Sequence, residues 1–573
     1  MASSDARRSY IDSRILYHED EARRLMKLLQ DRIRDLKTER NELAPISRCP
    51  PEVLCNIFSQ LKRSVEDDYD SKRASSRMAW IVASRVCRHW RAVVLRSPSL
   101  WTDISTRNSP EWIKTALSRS RGAALCVHID LTPYRADRFL PVVEDVLDKS
   151  STIQSLELSI GPKYTQTTFP HLTAPTPMLQ SALIMMIPPD QRLGIIYGKP
   201  VALPVNLFGN EAPNLRVLHL KNCDYPWTSS LFSNLTSLKV DLSNCSPSDV
   251  PTHPIEELLN ALVRMPTLVR LYLSRIRLNG TPRITARLPH LSELELDLTS
   301  QNTALLLLHL QIPPSVKAYL SFREADERSR ALIPAALRTL KSSASDLLPA
   351  TSELLGCQIT CEGQGSLLVE GWTSPHGKRW DDTKLRVYIR KAGTGSVPIS
   401  ISQIASCLPL YAVERLTLNG WFNSLAGDEA SLLFASFPSV RELDISSFDN
   451  QDDLVACLKD DPAFAVPSAP PTYLPLLQKC VFGKALFRES HERMADFEML
   501  WSLRAQRGAR LKTLDIGLSG MPDDHEMVPR LKEVVDEVDT RSETRRWMEL
   551  FWVYNESTST TGAVGQGGLV VEG

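Results

Sequence analysis

The 573-residue chain is long enough for several domains or one long repeat array, and 43% hydrophobic residues supply a sizeable core. Lys plus Arg and Asp plus Glu number 67 each, so the balance is zero, which excludes a global field that would draw in nucleic acid or an anionic membrane. Eleven scattered cysteines and a polar opening stretch, Met1 to Ser9, with no apolar secretory core, point to reduced thiols in an intracellular protein, cytoplasmic or nuclear.

From Ile11 to Leu43 there is no Pro or Gly. Ile11, Ile15, His18, Ala22, Leu25, Leu29, Arg32, Leu36, Glu39 and Leu43 recur at alternating steps of four and three, a heptad seam interrupted by Arg32 and Glu39. Residues 1–43 therefore read as an amphipathic, coiled-coil-like helix. Two readings stay open: a solvated helix leaning on the next domain, or a homodimer through residues 11–43. Pro45 ends the helix.

Residues 44–105 read as a compact helical module. Pro50 and Pro51 start a helix in which Val53, Leu54, Ile57, Phe58 and Leu61 form one broad apolar face. A second helix, roughly Met78 to Leu95, offers Ile81, Val82, Val86, Trp90 and Val93 or Val94, with Cys87 on it, and the Pro98 turn leads to Leu100-Trp101 as a final plug. Between the two, residues 62–76 insert a charged stretch containing Glu66-Asp67-Asp68-Tyr69-Asp70, expected to loop out. A unit of roughly 60 residues is only marginally stable alone, so docking on a partner is expected to help it.

The order Pro50-Pro51-Glu52-Val53-Leu54, Ile57-Phe58, Leu61, then Ser84-Arg85-Val86-Cys87-Arg88-His89-Trp90, then Ser97-Pro98-Ser99-Leu100-Trp101 resembles the F-box. With the preceding heptad helix and the repeats that follow, the chain is similar to the large F-box families of mushroom-forming fungi. The resemblance implies docking on a Skp-type adaptor, and through it on a cullin scaffold, with Pro50, Pro51, Val53, Leu54, Ile57, Phe58, Leu61, Val86, Cys87 and Trp90 as contact or support positions. Cys49-Pro50 stands where the commonest form has Leu-Pro.

Ser109 and Pro110 signal a helix over Ser109 to Ser120. Residues 106–554 then read as an irregular leucine-rich-repeat-like solenoid, giving an α/β chain overall: a long N-terminal helix, a small all-α F-box module and the solenoid. Eight apolar-x-x-apolar-x-apolar segments carry this, ending at Leu158, Leu220, Val240, Leu273, Leu296, Leu418, Ile445 and Ile516. In each, the last two apolar positions should point inward and the residue between them outward. Asn222-Cys223 and Asn244-Cys245 follow two of these strands, where such repeats bury Asn or Cys against turn backbone. Ile255 to Arg264 and Asp428 to Ser436 read as covering helices. A non-repetitive α/β body with many short parallel strands is the alternative.

The apolar run Ala304 to Ile312 is far short of the ~20 residues of a membrane helix, and no span is expected. Residues 323–400 break the rhythm, with a helix over Ala331 to Ser345, a hairpin around Gly363 to Gly365 and a strand at Leu385, Val387 and Ile389. Asp460 to Pro475 reads as an exposed Pro-rich loop, Pro529 to Tyr554 as a charged closing helix, and residues 555–573 as a disordered tail.

No Gly-Lys-Ser/Thr phosphate loop or Gly-x-Ser-x-Gly elbow occurs, and neither His491-Glu492 nor Cys357-x₃-Cys361 completes a metal set, so no cofactor, metal or catalytic role is expected. Cys87 is read as a packed residue, and His219 and Tyr272 as outward-facing. The expected function is substrate recognition for a cullin-type ubiquitin ligase, the repeats holding a protein substrate. The competing reading is a non-ligase scaffold that dimerises through its N-terminal helix.

Overall fold

The computed structural model describes residues 2–63, 79–131, 136–187, 198–325, 327–342, 353–362, 366–375, 382–391, 400–420, 428–447, 451–466, 469–483, 491–517 and 525–540. The chain forms two compact units, residues 1–191 with 203–215, and residues 192–202 with 216–573. The acidic part of the 62–76 insertion, the tip of the 363–365 hairpin, residues 541–554 and the 555–573 tail lie outside the described residues.

The first unit opens with a helix over Ala2–Glu42, as the unbroken run of helix-compatible residues dictates. A short 3-10 turn, Pro45–Arg48, joins it to helix Pro51–Arg63. Four parallel strands follow the helical module: Asp103–Ser105, Leu125–Leu131, Ile153–Ile160 and Ser181–Met186. Along Leu125–Leu131 every second residue is buried, so one face of this strand packs into the core. Helix Pro110–Ser120 begins as expected, with the Ser109 hydroxyl accepting from the Trp112 N–H at 3.3 Å.

In the second unit the strands lie in the spatial order Val217–Lys221, Ser237–Asp241, Arg270–Ser274, Glu293–Thr299, Lys317–Ala325, Thr383–Lys391, Ser366–Trp372, Gly356–Glu362, Arg415–Gly420, Glu442–Ile445, Lys479–Phe482, Leu511–Asp515 and Val535–Asp539. Every neighbouring pair is parallel except the two made by Ser366–Trp372, which is antiparallel on both sides. The class is therefore α/β with a large, parallel-rich sheet.

All eight apolar motifs form parallel strands, and their last two apolar positions are buried, as in Leu218 and Leu220, Leu271 and Leu273, or Leu514 and Ile516. Helices Ile255–Val263 and Asp428–Ala435 fall where expected. Asn222 is buried in a left-handed conformation (φ 55°), and its amide oxygen accepts from the buried Cys245 thiol at 3.7 Å. Short polar side chains tolerate that backbone region best after Gly, which explains Asn at the turn. A second device recurs at strand ends: the carboxylates of Asp241, Asp444 and Asp515 each accept the N–H two residues on, at 2.9–3.1 Å.

Residues 323–400, expected to break the rhythm as a rim feature or an atypical repeat, hold strands of the sheet, and three other readings need correction. The expected helix (Glu327–Ser342) and hairpin are present, and the hairpin strands Gly356–Glu362 and Ser366–Trp372 insert between Thr383–Lys391 and Arg415–Gly420, continuing the sheet with one reversed strand. The Pro-rich segment 460–475 is exposed at many positions, as expected, but it is also anchored, which the sequence did not show. Asp461 is buried, with its carboxylate accepting from the Ala463 and Tyr473 N–H groups, and buried Arg504 donates to the Tyr473 and Leu474 carbonyls at 3.0 and 2.8 Å.

The closing helix is also shorter than predicted. Met527–Val534 gives way at Val535 to a strand paired with Leu511–Asp515, because the β-branched, fully buried Val535 and the sheet edge outweigh the helix propensity of Glu537. Finally, the second helix of the module is broken. A 3-10 segment, Ala79–Arg85, precedes helix Arg88–Arg96, and Cys87 is not inside a helix but at its N-cap (φ −154°, ψ 170°), its sulfur accepting from the Trp90 N–H at 3.4 Å. Val86 and Cys87 are weak helix formers, and the cap satisfies one of the donors that a helix start exposes.

Candidate functional site

The module is held by two apolar groups. Leu54 and Phe58 on helix Pro51–Arg63 are fully buried, and the Phe58 ring lies 5.1 Å from that of Trp90. A second group centres on Trp101, whose indole N–H donates to the Val94 carbonyl at 2.9 Å and whose ring meets Trp80 edge-on at 5.1 Å and Trp112 at 5.2 Å. The Arg119 guanidinium caps the same ring at 4.5 Å. Leu100 and Trp101 thus form the expected plug. Trp80, in the segment before the broken helix, is a core residue that the apolar spacing did not single out.

The face expected on helix Pro51–Arg63 divides into two. At 100° per residue, Leu54 and Phe58 share one line and Val53, Ile57 and Leu61 the next. The first is closed over by the module; the second remains open, with Val53, Ile57 and Leu61 at 41–44% exposure. Val86 (55% exposed) stands in the break after Ala79–Arg85 and Val82 (61%) within it, while Ile46 (41%) lies in the turn Pro45–Arg48.

Among the predicted site residues, Pro50 and Pro51 are exposed and Cys87 and Trp90 half-buried. The Pro50 carbonyl accepts from the Val53 and Leu54 N–H groups at 3.0 and 3.2 Å, fixing the helix start. Spacing alone could not separate the two lines, because only the packed partner decides which is covered. Ile46 and Val82 were missed as surface residues for the same reason.

The long helix joins this module near its C-terminal end: Arg88 pairs with Asp35 at 2.9 Å, and the Ser47 hydroxyl donates to the Asn41 carbonyl at 2.7 Å.

On the second unit, the register aligns the outward residues His219, Lys239, Tyr272, Glu295, Tyr319, Arg386, Glu370 and Gln358 in one row across eight strands, all half-buried. Neighbours in the row engage one another. The Lys239 amine sits 4.1 Å from the Tyr272 ring centre, and Arg386 pairs with Glu370 at 2.6 Å. Burial, reinforced by the Asp241 and Glu295 carboxylates, pushes the Tyr272 phenol up to about 12, and burial raises the Glu295 carboxyl above the usual range. His219 and Tyr272, predicted to face outward, both lie in this row.

Among the described residues no group of three or more His, Cys, Asp or Glu side chains could hold a metal ion, and no helix is long and apolar enough to cross a membrane.

The module is thus a small helical unit with a covered apolar line, Leu54 and Phe58, and an uncovered one, Val53, Ile57 and Leu61. A family model described as F-box-like matches residues 46–107, so the module is an F-box-like domain. No curated protein matches the chain.

Proposed function

We propose that the chain is a substrate-recognition subunit of a cullin-type ubiquitin ligase. Its F-box-like domain binds a Skp-type adaptor, and the open face of the second unit, read as an irregular leucine-rich-repeat-like array of the kind found beside F-boxes in mushroom-forming fungi, binds a protein substrate. The observation that carries this reading is the exposed line Val53, Ile57 and Leu61 on a domain matched to the F-box-like family. In this reading Pro50, Pro51, Val53, Ile57, Leu61 and Val86 touch the adaptor, while Leu54, Phe58, Cys87 and Trp90 support the surface from behind. F-box domains are typically non-catalytic adaptors, and ubiquitin transfer would be performed by other subunits in an intracellular setting.

The test is co-purification of the full chain with a Skp-type adaptor. Wild type should retain the adaptor, and Ile57→Asp should abolish retention by placing a charge in an apolar contact. Failure of the wild-type chain to retain adaptor, or unchanged retention by Ile57→Asp, would overturn the proposal.

A further inference from the structure

We infer that the N-terminal helix pairs antiparallel with the same helix of a second copy of this chain. This interaction does not depend on the adaptor reading. Ala2–Glu42 is a single helix, yet Ile15, Leu25, Leu29 and Leu36 of its seam remain 49–61% exposed. The side toward the module is marked by Asp35, paired with Arg88, and by half-buried Asp31, Thr38 and Asn41. At 100° per residue the line through Leu29, Leu36 and Leu43 lies on the opposite side, so the apolar seam points away from its own module and is left for another molecule.

Charge selects both the occupant and the direction. In a parallel, in-register pair, Arg32 would face Arg32 and Glu39 would face Glu39 within the seam, and the acidic block Glu19-Asp20-Glu21 would run beside itself. In an antiparallel pair with facing residue numbers summing to 54, Leu25 meets Leu29, Ile11 meets Leu43, His18 meets Leu36 and Ile15 meets Glu39. Arg32 then lies against the small Ala22, and the acidic block Glu19-Asp20-Glu21 faces Asp35, Arg34 and Ile33.

The flanking positions agree, with Arg14 beside Glu42 and Asp12 beside Arg40 of the other copy. The like-charge approaches of Glu19 and Glu21 to Asp35 are relieved because Asp35 already carries Arg88 at 2.9 Å. Only reversal keeps the seam charges Arg32 and Glu39 from facing their own copies. Reversal also sets the two F-box-like domains at opposite ends of the paired stretch, about 50 Å apart at 1.5 Å per residue.

The experiment uses the full chain. Sedimentation should give a dimer at micromolar concentration, and Leu25→Lys with Leu29→Lys should give a monomer with unchanged circular dichroism. A photo-crosslinking amino acid at position 11 should capture residues 40–45 of the other copy. Arg14→Glu should weaken the dimer about three- to tenfold, and adding Glu42→Arg should restore it, since the two charges then attract again. A monomeric wild type, a dimer indifferent to the double Lys variant, crosslinks clustered around position 11 itself, or no rescue by Glu42→Arg would each overturn the inference.

Discussion

Phe58 and Ile57 are sequence neighbours that the structure assigns opposite duties, and truncating each to Ala should separate them. The Phe58 ring is fully buried against Trp90, so Phe58→Ala removes an aromatic from the centre of the small domain and should cost about 3–5 kcal/mol of local stability. Ile57 is 41% exposed, so Ile57→Ala forfeits only part of the burial of an Ile and should cost about 1 kcal/mol or less. The assay is amide hydrogen exchange of peptides within 51–101 in the full chain, which reads local opening without requiring the whole chain to unfold in one step.

Phe58→Ala should accelerate exchange at least about a hundredfold, and Ile57→Ala severalfold at most. Adaptor affinity should run the other way: Ile57→Ala should weaken it about tenfold with the exchange pattern kept, as expected of an interface anchor. Equal acceleration by both substitutions, or a silent Phe58→Ala, would refute the division into a covered and an uncovered line.

Two further outcomes follow from the second unit. Replacing buried Arg504 by Ala strips the Tyr473 and Leu474 carbonyls of their donors and opens a void, which should cost about 3–5 kcal/mol in urea denaturation and expose the 460–475 segment to protease. Stability should also fall at alkaline pH. Burial pushes the Cys245 thiol up to about 11 and the Cys361 thiol up to about 12, from an ordinary value near 9. Because the folded state holds the neutral form, this contribution is fully present below pH 9 and is lost as pH rises toward 11 and 12. Cys245→Ala with Cys361→Ala should flatten the decline between pH 9 and 11 in denaturation curves; an unchanged slope would count against burial as its cause.

How much was legible in the sequence depended on whether a signal was local. The unbroken run to Leu43, the Ser109-Pro110 helix start and the Leu-x-Leu strands were all readable, because capping, Pro and Gly chemistry and alternation with period two act within a few residues. Of the strands without the motif, the alternation at Leu385, Val387 and Ile389 was readable, but several others were not. Leu125–Leu131, Ser181–Met186 and Lys479–Phe482 became strands because parallel neighbours supplied their hydrogen bonds. Cys87 was placed one role away from its cap, since a helix break depends on where the flanking segments pack.

By itself the sequence determined the module. The spacing of Pro50, Leu54, Phe58, Trp90 and Trp101 requires a small helical core, and the family match covers the same stretch. It also determined that many short strands follow with one face buried. Only the tertiary structure decided which apolar line of helix Pro51–Arg63 stays open, that Ser366–Trp372 runs against its neighbours, and that Arg504 binds the Pro-rich segment from beneath. The physical reason is common to all three. Hydrophobicity and propensity state what a residue can do, whereas exposure, strand direction and the partner of a buried charge are set by chain segments tens of residues away.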